Sequence, residues 1–298
     1  MKDIIFKGIG TALVTPFLDN TINFDEFKKL MEFQISQGAD SLIVGGTTGE
    51  SATMTMNEKK YLIRFACNIA NKRIPIIAGT GTNCTKTSIE LSEYAESVGA
   101  DALLVVTPYY NKTTQEGLIE HYKSIAESVD IPIILYNVPS RTGLNITPET
   151  CYELSKINNI VAIKEASGNI SQVAKIASLC KDDLYIYSGN DDQIIPILSL
   201  GGIGAISVVS NILPKETHDM IHSFFNKKFM AARDYQLKLI PLIEKLFVEV
   251  NPIPIKEALN IIGYDVGIPR LPLVRCSQKN IEILKDELKN YNLKIPVN

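Results

Sequence analysis

Lys164 is the residue in this sequence with the most chemistry to offer, because it directly follows the apolar run Ile160-Val161-Ala162-Ile163. An amine attacks a carbonyl only in its neutral form, and removal from water favours that form. Lys164 is therefore the candidate nucleophile of a Schiff-base reaction. Such a reaction also needs hydroxyls to carry protons between carbinolamine, imine and enamine. Tyr136 ends the preceding apolar run, while Tyr110 and Thr47 follow two others. An α-keto acid substrate would further need its carboxylate held. The backbone N–H groups of the turn Gly46-Thr47-Thr48-Gly49 suit an anion. Arg141 can clamp a second carboxylate through two parallel hydrogen bonds.

Each of these residues alone has a plainer reading. A lysine at a strand end reaches solvent or pairs with a neighbour, here Glu165. A tyrosine packs in the core with its hydroxyl on backbone. A glycine-rich turn is simply tight, and an arginine lies on the surface. Three hydroxyls and one lysine at the ends of apolar runs weigh together towards chemistry.

The elements that must position them recur with a regular period. Short apolar, β-branched runs fall at 8–14, 41–44, 74–78, 102–106, 131–136, 160–163, 184–188 and 205–209. They are mostly continuous rather than alternating, as in strands covered on both faces. Segments with helical period lie between them, among them 23–37, 85–98 and 171–180. Eight strand–helix units predict an α/β fold closed into a (β/α)8 TIM barrel. A doubly wound open sheet is the alternative, but Thr15-Pro16-Phe17 follows the first run where that fold carries a glycine-rich dinucleotide turn. In a barrel the site lies at the C-terminal ends of the strands, where all the candidates fall. After residue 214 the segments 214–225, 228–248, 255–261 and 277–290 read as helices punctuated by Pro252, Pro254, Pro269 and Pro272. The expected division is a barrel core over 1–214 and a C-terminal helical extension, 215–298, packed on it.

Composition closes off other classes. With 45 % apolar and 21 % charged residues over 298 positions the chain reads as an ordinary globular protein. Its net charge of −3 is spread without long like-charge runs, so neither nucleic acid nor a membrane surface is an expected partner. Five widely spaced cysteines without C-x-x-C fit a reducing cytoplasm and argue against disulfides or a zinc site. No signal peptide or membrane span is expected. His218 and His222 stand four apart on a helix, a spacing that suits a metal, yet without a surrounding H-E-x-x-H they read as solvated helix residues. Asp191 and Asp192 read as caps of a helix starting near Gln193. Gly201-Gly202-Ile203-Gly204 looks like a phosphate loop at the wrong end of the barrel. No cofactor and no metal are expected.

The strings Gly-Gly-Thr-Thr-Gly-Glu (45–50), Tyr-Asn-Val-Pro-Ser-Arg-Thr-Gly (136–143) and Ile-Lys-Glu-Ala-Ser-Gly (163–168) are specific in combination. With 10–17 and 251–256, they make the whole chain resemble the dihydrodipicolinate synthases, within the N-acetylneuraminate lyase superfamily of pyruvate-dependent aldolases. The resemblance implies that Lys164 forms an imine with pyruvate and that Thr47, Tyr136 and Tyr110 relay protons, Tyr110 from a neighbouring subunit. It implies that Thr47 and Thr48 hold the pyruvate carboxylate and that Arg141 binds the carboxylate of aspartate semialdehyde. Gly189 and Ile206 match backbone-carbonyl positions near substrate and lysine. A homotetramer of two tight dimers is implied, with the small molecules pyruvate and aspartate semialdehyde as partners. Ser51, Ala52, Asn83 and Tyr109 match part of a lysine effector site. Met56 and Lys59 stand where inhibited relatives carry histidines, and Thr87 where they carry a glutamate. The lost glutamate and the added cation both oppose a cationic effector, so feedback inhibition by lysine is expected to be weak or absent.

Three rivals remain at this point. A sister aldolase cleaving a sialic or keto-deoxy sugar acid resembles the chain at Lys164 and Tyr136 but lacks an arginine matching Arg141. A metal-dependent aldolase would need histidines and carboxylates at strand ends. A non-catalytic sugar-acid-binding barrel would bind without forming an imine.

Overall fold

The computed structural model describes residues 2–293; residue 1 and residues 294–298, the two extremes of the expected division, lie outside them. Ten strands follow in chain order: β1 (Gly8–Ala12), β2 (Phe17–Leu18), β3 (Thr21–Ile22), β4 (Ser41–Val44), β5 (Ile76–Gly79), β6 (Ala102–Val106), β7 (Ile133–Asn137), β8 (Ile160–Glu165), β9 (Tyr185–Ser188) and β10 (Gly204–Ser207). Eight of them close a parallel barrel in the order β1-β10-β9-β8-β7-β6-β5-β4. The other two, β2 and β3, form a small hairpin turned by Asp19 and Asn20, both left-handed. Asx residues tolerate that conformation, which two-residue hairpin turns need. The sequence pattern had given no sign of the hairpin.

Helices α1 (Phe24–Ser36), α2 (Met56–Ala70), α3 (Thr85–Ser97) and α4 (Gln115–Ala126) fill the first crossovers. A single turn, α5 (Pro139–Thr142), precedes α6 (Pro148–Ser155), α7 (Ile170–Cys180), α8 (Ile194–Ser199) and α9 (Pro214–Phe225). The chain continues in α10 (Phe229–Leu246), α11 (Ile253–Ile261) and α12 (Gln278–Leu288). Local signals start several of these helices. Thr55 and Glu58 make a reciprocal capping box at α2, and Asn23, Thr114, Thr147 and Asn169 cap α1, α4, α6 and α7. No described helix is long and apolar enough to cross a membrane.

Strand alternation divides the core into layers. Along β7, Ile133 and Leu135 pack outwards against the helical shell, while Ile134 and Tyr136 point into the barrel with Ile43, Ile77, Leu104, Tyr187 and Ile206. A further apolar cluster joins β1 and β10 residues to α9–α12, so the last helices share a core with the barrel. The pairing of β7 with β8 is irregular. Ile133 faces Ile160 but Ile134 faces Ala162, which leaves Val161 as an extra residue. Beyond that bulge Tyr136 pairs with Lys164 and Asn137 with Glu165.

Two expectations about local structure change. The sixth strand does not stop at Ile163; it runs through Glu165, because Tyr136 and Asn137 on one side and Tyr187 and Ser188 on the other continue the pairing. Asp191 and Asp192 do not cap α8. Among the described residues no side chain caps that helix, and the buried Asp191 carboxylate accepts the backbone N–H groups of Val208 (3.0 Å) and Val209 (2.8 Å) just past β10.

Candidate active site

The ends of β4–β7 open into a cleft of about 290 Å³ lined by Gly45, Thr47, Ser51, Ala52, Tyr109, Tyr136 and Arg141, with Leu104, Val106 and Val138 as apolar wall. Its far wall comes from the C-terminal region, through Val250, Asn251, Pro252, Pro272 and Leu273. A mostly apolar cleft with a few polar groups at a barrel's C-terminal face is where a small substrate is expected to bind.

Lys164 lies beneath Tyr136 rather than in the cleft wall. Its Nζ stands 4.4 Å from the centre of the Tyr136 ring, and both residues are 6 % exposed. Among the described residues no hydrogen bond or ion pair holds that amine. The plainer alternative, a pair with Glu165, is excluded by geometry. Successive strand residues face opposite ways, and Glu165 accepts from Asn137 Nδ2 (3.0 Å), Gln172 Nε2 (3.1 Å) and the Ser167 N–H (2.6 Å) instead. A second buried carboxyl, Asp191, feels the charge of Lys164. Burial pushes it up, against the hydrogen bonds from Ser207, Val209 and Val208 and the nearby charge of Lys164. Gly189 lies beside the lysine. A Cβ at Gly189 would come within 3.1 Å of the Lys164 Cε, and Ile206 is fully buried in the same interior layer as Tyr136.

The strand 4 turn presents two kinds of donor. Thr47 lines the cleft, and among the described residues no hydrogen bond occupies the backbone N–H groups of Thr47 and Thr48. These are groups a carboxylate can take. Thr48 itself is 3 % exposed, and its hydroxyl oxygen accepts from Asn251 Nδ2 at 3.0 Å. Arg141 sits on the single turn α5 at the cleft mouth, with Nη2 donating to the Asn251 carbonyl at 3.0 Å. Its remaining donors stay available for a ligand.

Tyr110 does not join this group within one chain. It is 92 % exposed and held at φ +69°, a left-handed conformation costly for a bulky residue. Of the four residues matching an effector site, Ser51, Ala52 and Tyr109 line the cleft, and the Asn83 carbonyl accepts from Asn111 Nδ2 at 2.8 Å. Met56 and Lys59 lie on α2 and Thr87 on α3.

Two residues escaped the sequence reading. Asn251 bridges Thr48 and Arg141 from the C-terminal region, and its buried Oδ1 has no partner among the described residues. Lys256, fully buried on α11, bonds Glu50 Oε1 at 2.8 Å and the Thr15 carbonyl at 3.1 Å. Glu50 in turn accepts from the Arg270 N–H at 2.9 Å. The string at 251–256 had marked the region, but nothing local shows a lysine reaching back 206 positions to a glutamate.

Comparison with known proteins places this arrangement. Residues 5–291 match the dihydrodipicolinate synthetase family. The chain belongs to that family. It is 57 % identical over 289 residues to 4-hydroxy-tetrahydrodipicolinate synthase 1 of Clostridium acetobutylicum, covering 97 % of this chain and 99 % of that one. To 4-hydroxy-tetrahydrodipicolinate synthase of Caldicellulosiruptor saccharolyticus it is 58 % identical over 292 residues, covering 98 % and 99 %. The crystal structure of dihydrodipicolinate synthase from Aquifex aeolicus superposes with a TM-score of 0.96 at 42 % identity, covering 97 % and 99 %.

Proposed function

We infer that the chain is a lyase of the 4-hydroxy-tetrahydrodipicolinate synthase type, condensing pyruvate with L-aspartate 4-semialdehyde in the diaminopimelate route to lysine. The observation that carries the chemistry is Lys164: a buried amine without a hydrogen bond or ion pair among the described residues, packed against the ring of Tyr136. The amine adds to C2 of pyruvate, water leaves, and the resulting iminium acidifies the methyl group, whose proton passes to the hydroxyl relay to give the enamine. The enamine carbon then attacks the aldehyde carbon of the second substrate, whose oxygen takes up a proton. The substrate's own amine displaces Lys164 from C2 and closes the ring, with one water lost overall. The iminium is itself the electron sink, so the sequence needs no cofactor.

The cleft supports the remaining roles. Tyr136 and Thr47 carry protons, and the free N–H groups of Thr47 and Thr48 hold the pyruvate carboxylate. Arg141 at the mouth takes the carboxylate of the semialdehyde. That second cation favours the synthase over a sugar-acid lyase. Tyr110, exposed at an unfavourable backbone angle, supports the reading that a second copy of the chain covers it and receives its hydroxyl. A homotetramer of two such dimers, in the cytoplasm, is the assembly we propose. Lys59, which burial pushes down in pKa, still brings a cation beside the place where relatives hold an effector, and Thr87 brings no anion. A lysine titration into the millimolar range is expected to leave the rate nearly unchanged; strong saturable inhibition would overturn this.

Pyruvate with borohydride should leave a reduced pyruvate adduct on Lys164, located by peptide mass. Turnover with aspartate semialdehyde, coupled to the reductase that consumes the product, should vanish in Lys164→Ala. No adduct in an active wild type would refute the Schiff-base route, and an adduct without turnover would refute the acceptor.

A further inference from the structure

His218 and His222, read from the sequence as solvated helix residues, instead converge on a carboxylate. They stand four apart on α9, so both face the same way, and their rings stack with centroids 3.9 Å apart. His218 Nδ1 and His222 Nε2 each lie 3.3 Å from the same oxygen, Asp40 Oδ2. Among the described residues this is the only group of three His, Cys, Asp or Glu side chains close enough to share an ion, with ligating atoms within 4.8 Å of one another. It lies where β1 and β4 begin, at the opposite end of the barrel from Lys164.

Three observations favour an ion over a hydrogen-bonded cluster. The 3.3 Å separations exceed the usual range for N–H···O bonds. Two ligand atoms held ~2.0–2.1 Å from one ion at tetrahedral angles stand ~3.3–3.4 Å apart, the spacing found here. The carboxylate is held independently of the histidines, because Oδ2 also accepts the Ile9 N–H at 2.8 Å. Space for the group exists only because residue 8 is glycine. At its φ of +135° a Cβ would sit 2.0 Å from Asp40 Oδ2 and 3.0 Å from His222 Nε2. The side chains remain 22 %, 28 % and 36 % exposed for Asp40, His218 and His222, which leaves a path in and a coordination position for water.

We propose that Asp40, His218 and His222 form a site for a divalent transition metal of the Zn2+ class. Two imidazole nitrogens and one carboxylate oxygen suit Zn2+, Ni2+ or Cu2+ better than Mg2+ or Ca2+, which prefer all-oxygen shells. The ion would clip α9 to the start of β1 and to the residue before β4. Placed at the end of the barrel away from the amine, it bears on stability and not on turnover, and the proposal is independent of the synthase reading.

Metal-stripped full-length protein titrated with Zn2+ alone should bind one ion per chain and unfold at a higher temperature. His218→Gln and His222→Gln, both on a half-exposed helix face, should each weaken binding at least ~10-fold. Cys84→Ser should bind like wild type, which separates this site from the exposed thiol of Cys84. Co2+ in place of Zn2+ should give visible absorption that both histidine variants lose. Absence of stoichiometric binding, or binding that survives both histidine substitutions, would overturn the proposal.

Discussion

Lys164 and Lys256 are both buried amines, and their surroundings are built to different ends. Lys256 is fully enclosed between the strand 4 turn and α11. Its ammonium meets Glu50, two backbone carbonyls and the face of Phe17. Burial pushes its pKa down, against the pull of Glu50. Lys164 is nearly as enclosed, yet its nearest carboxylate along the chain, Glu165, is spent on Asn137, Gln172 and Ser167. Burial alone therefore does not mark a reactive lysine. The mark is burial with no carboxylate bonded to the amine among the described residues, since a paired ammonium is structural and an unpaired amine remains free to form a bond.

Substitution should separate the two. Lys164→Ala is expected to lower kcat by ~10⁴-fold or more, because the covalent route disappears, with the melting temperature almost unchanged. Lys256→Met should do the reverse. It leaves Glu50 buried without its ion-pair partner, a loss of about 3–5 kcal/mol in unfolding free energy by denaturant titration. A Glu50→Gln/Lys256→Met double variant should lose less than the sum of the two singles. If Lys256→Met abolished imine trapping in protein that was still folded, the contrast would fail.

Tyr136→Phe keeps the ring against Lys164 and removes only the hydroxyl. A loss of ~10²–10³-fold in kcat is expected, with the pyruvate adduct still trapped by borohydride, though more slowly. An unchanged rate would leave the ring as mere packing.

The smallest effect concerns a third buried base with no carboxylate. His121 accepts or donates at Nδ1 to Thr85, its Nε2 has no partner among the described residues, and burial pushes it down to about 4. The unfolded chain takes up that proton first as pH falls. Stability should be complete above pH ~6.5 and decline towards pH ~4, by about 1–3 kcal/mol in all. His121→Gln should flatten this acid limb in denaturation curves recorded across pH.

Much of this was readable along the chain because the governing signals are local. Eight apolar runs and the helical periods between them prescribe the barrel, and strand ends point to Lys164, Tyr136, Thr47 and Arg141. What stayed hidden depends on residues far apart in sequence. The Asn251 bridge, the Glu50–Lys256 pair and the convergence of His218 and His222 on Asp40 each need the closed barrel before they exist. Asp191 looked like a helix cap because its own neighbourhood is polar, and only the return of β10 shows which N–H groups it serves. Tyr110 is the limiting case, exposed at a left-handed backbone angle and clear of the cleft.

The extra residue at Val161 has a consequence for how this strand tolerates change. Which side of the wall a strand residue faces is a matter of odd or even count from the last fixed pair. One surplus position upstream sets that parity for Lys164. Substituting Val161 by another β-branched residue alters packing by a methyl group and leaves the count intact. Deleting it would bring Ile160 next to Ala162 with Ile133 still opposite Ile160 and Ile134 opposite Ala162, so Lys164 would keep facing the barrel and a folded deletion variant should still yield the adduct with pyruvate and borohydride. Keeping the residue but flattening the bulge would instead send the amine into the helical shell and Glu165 into the barrel, so at this position the backbone irregularity matters more than the side chain it carries.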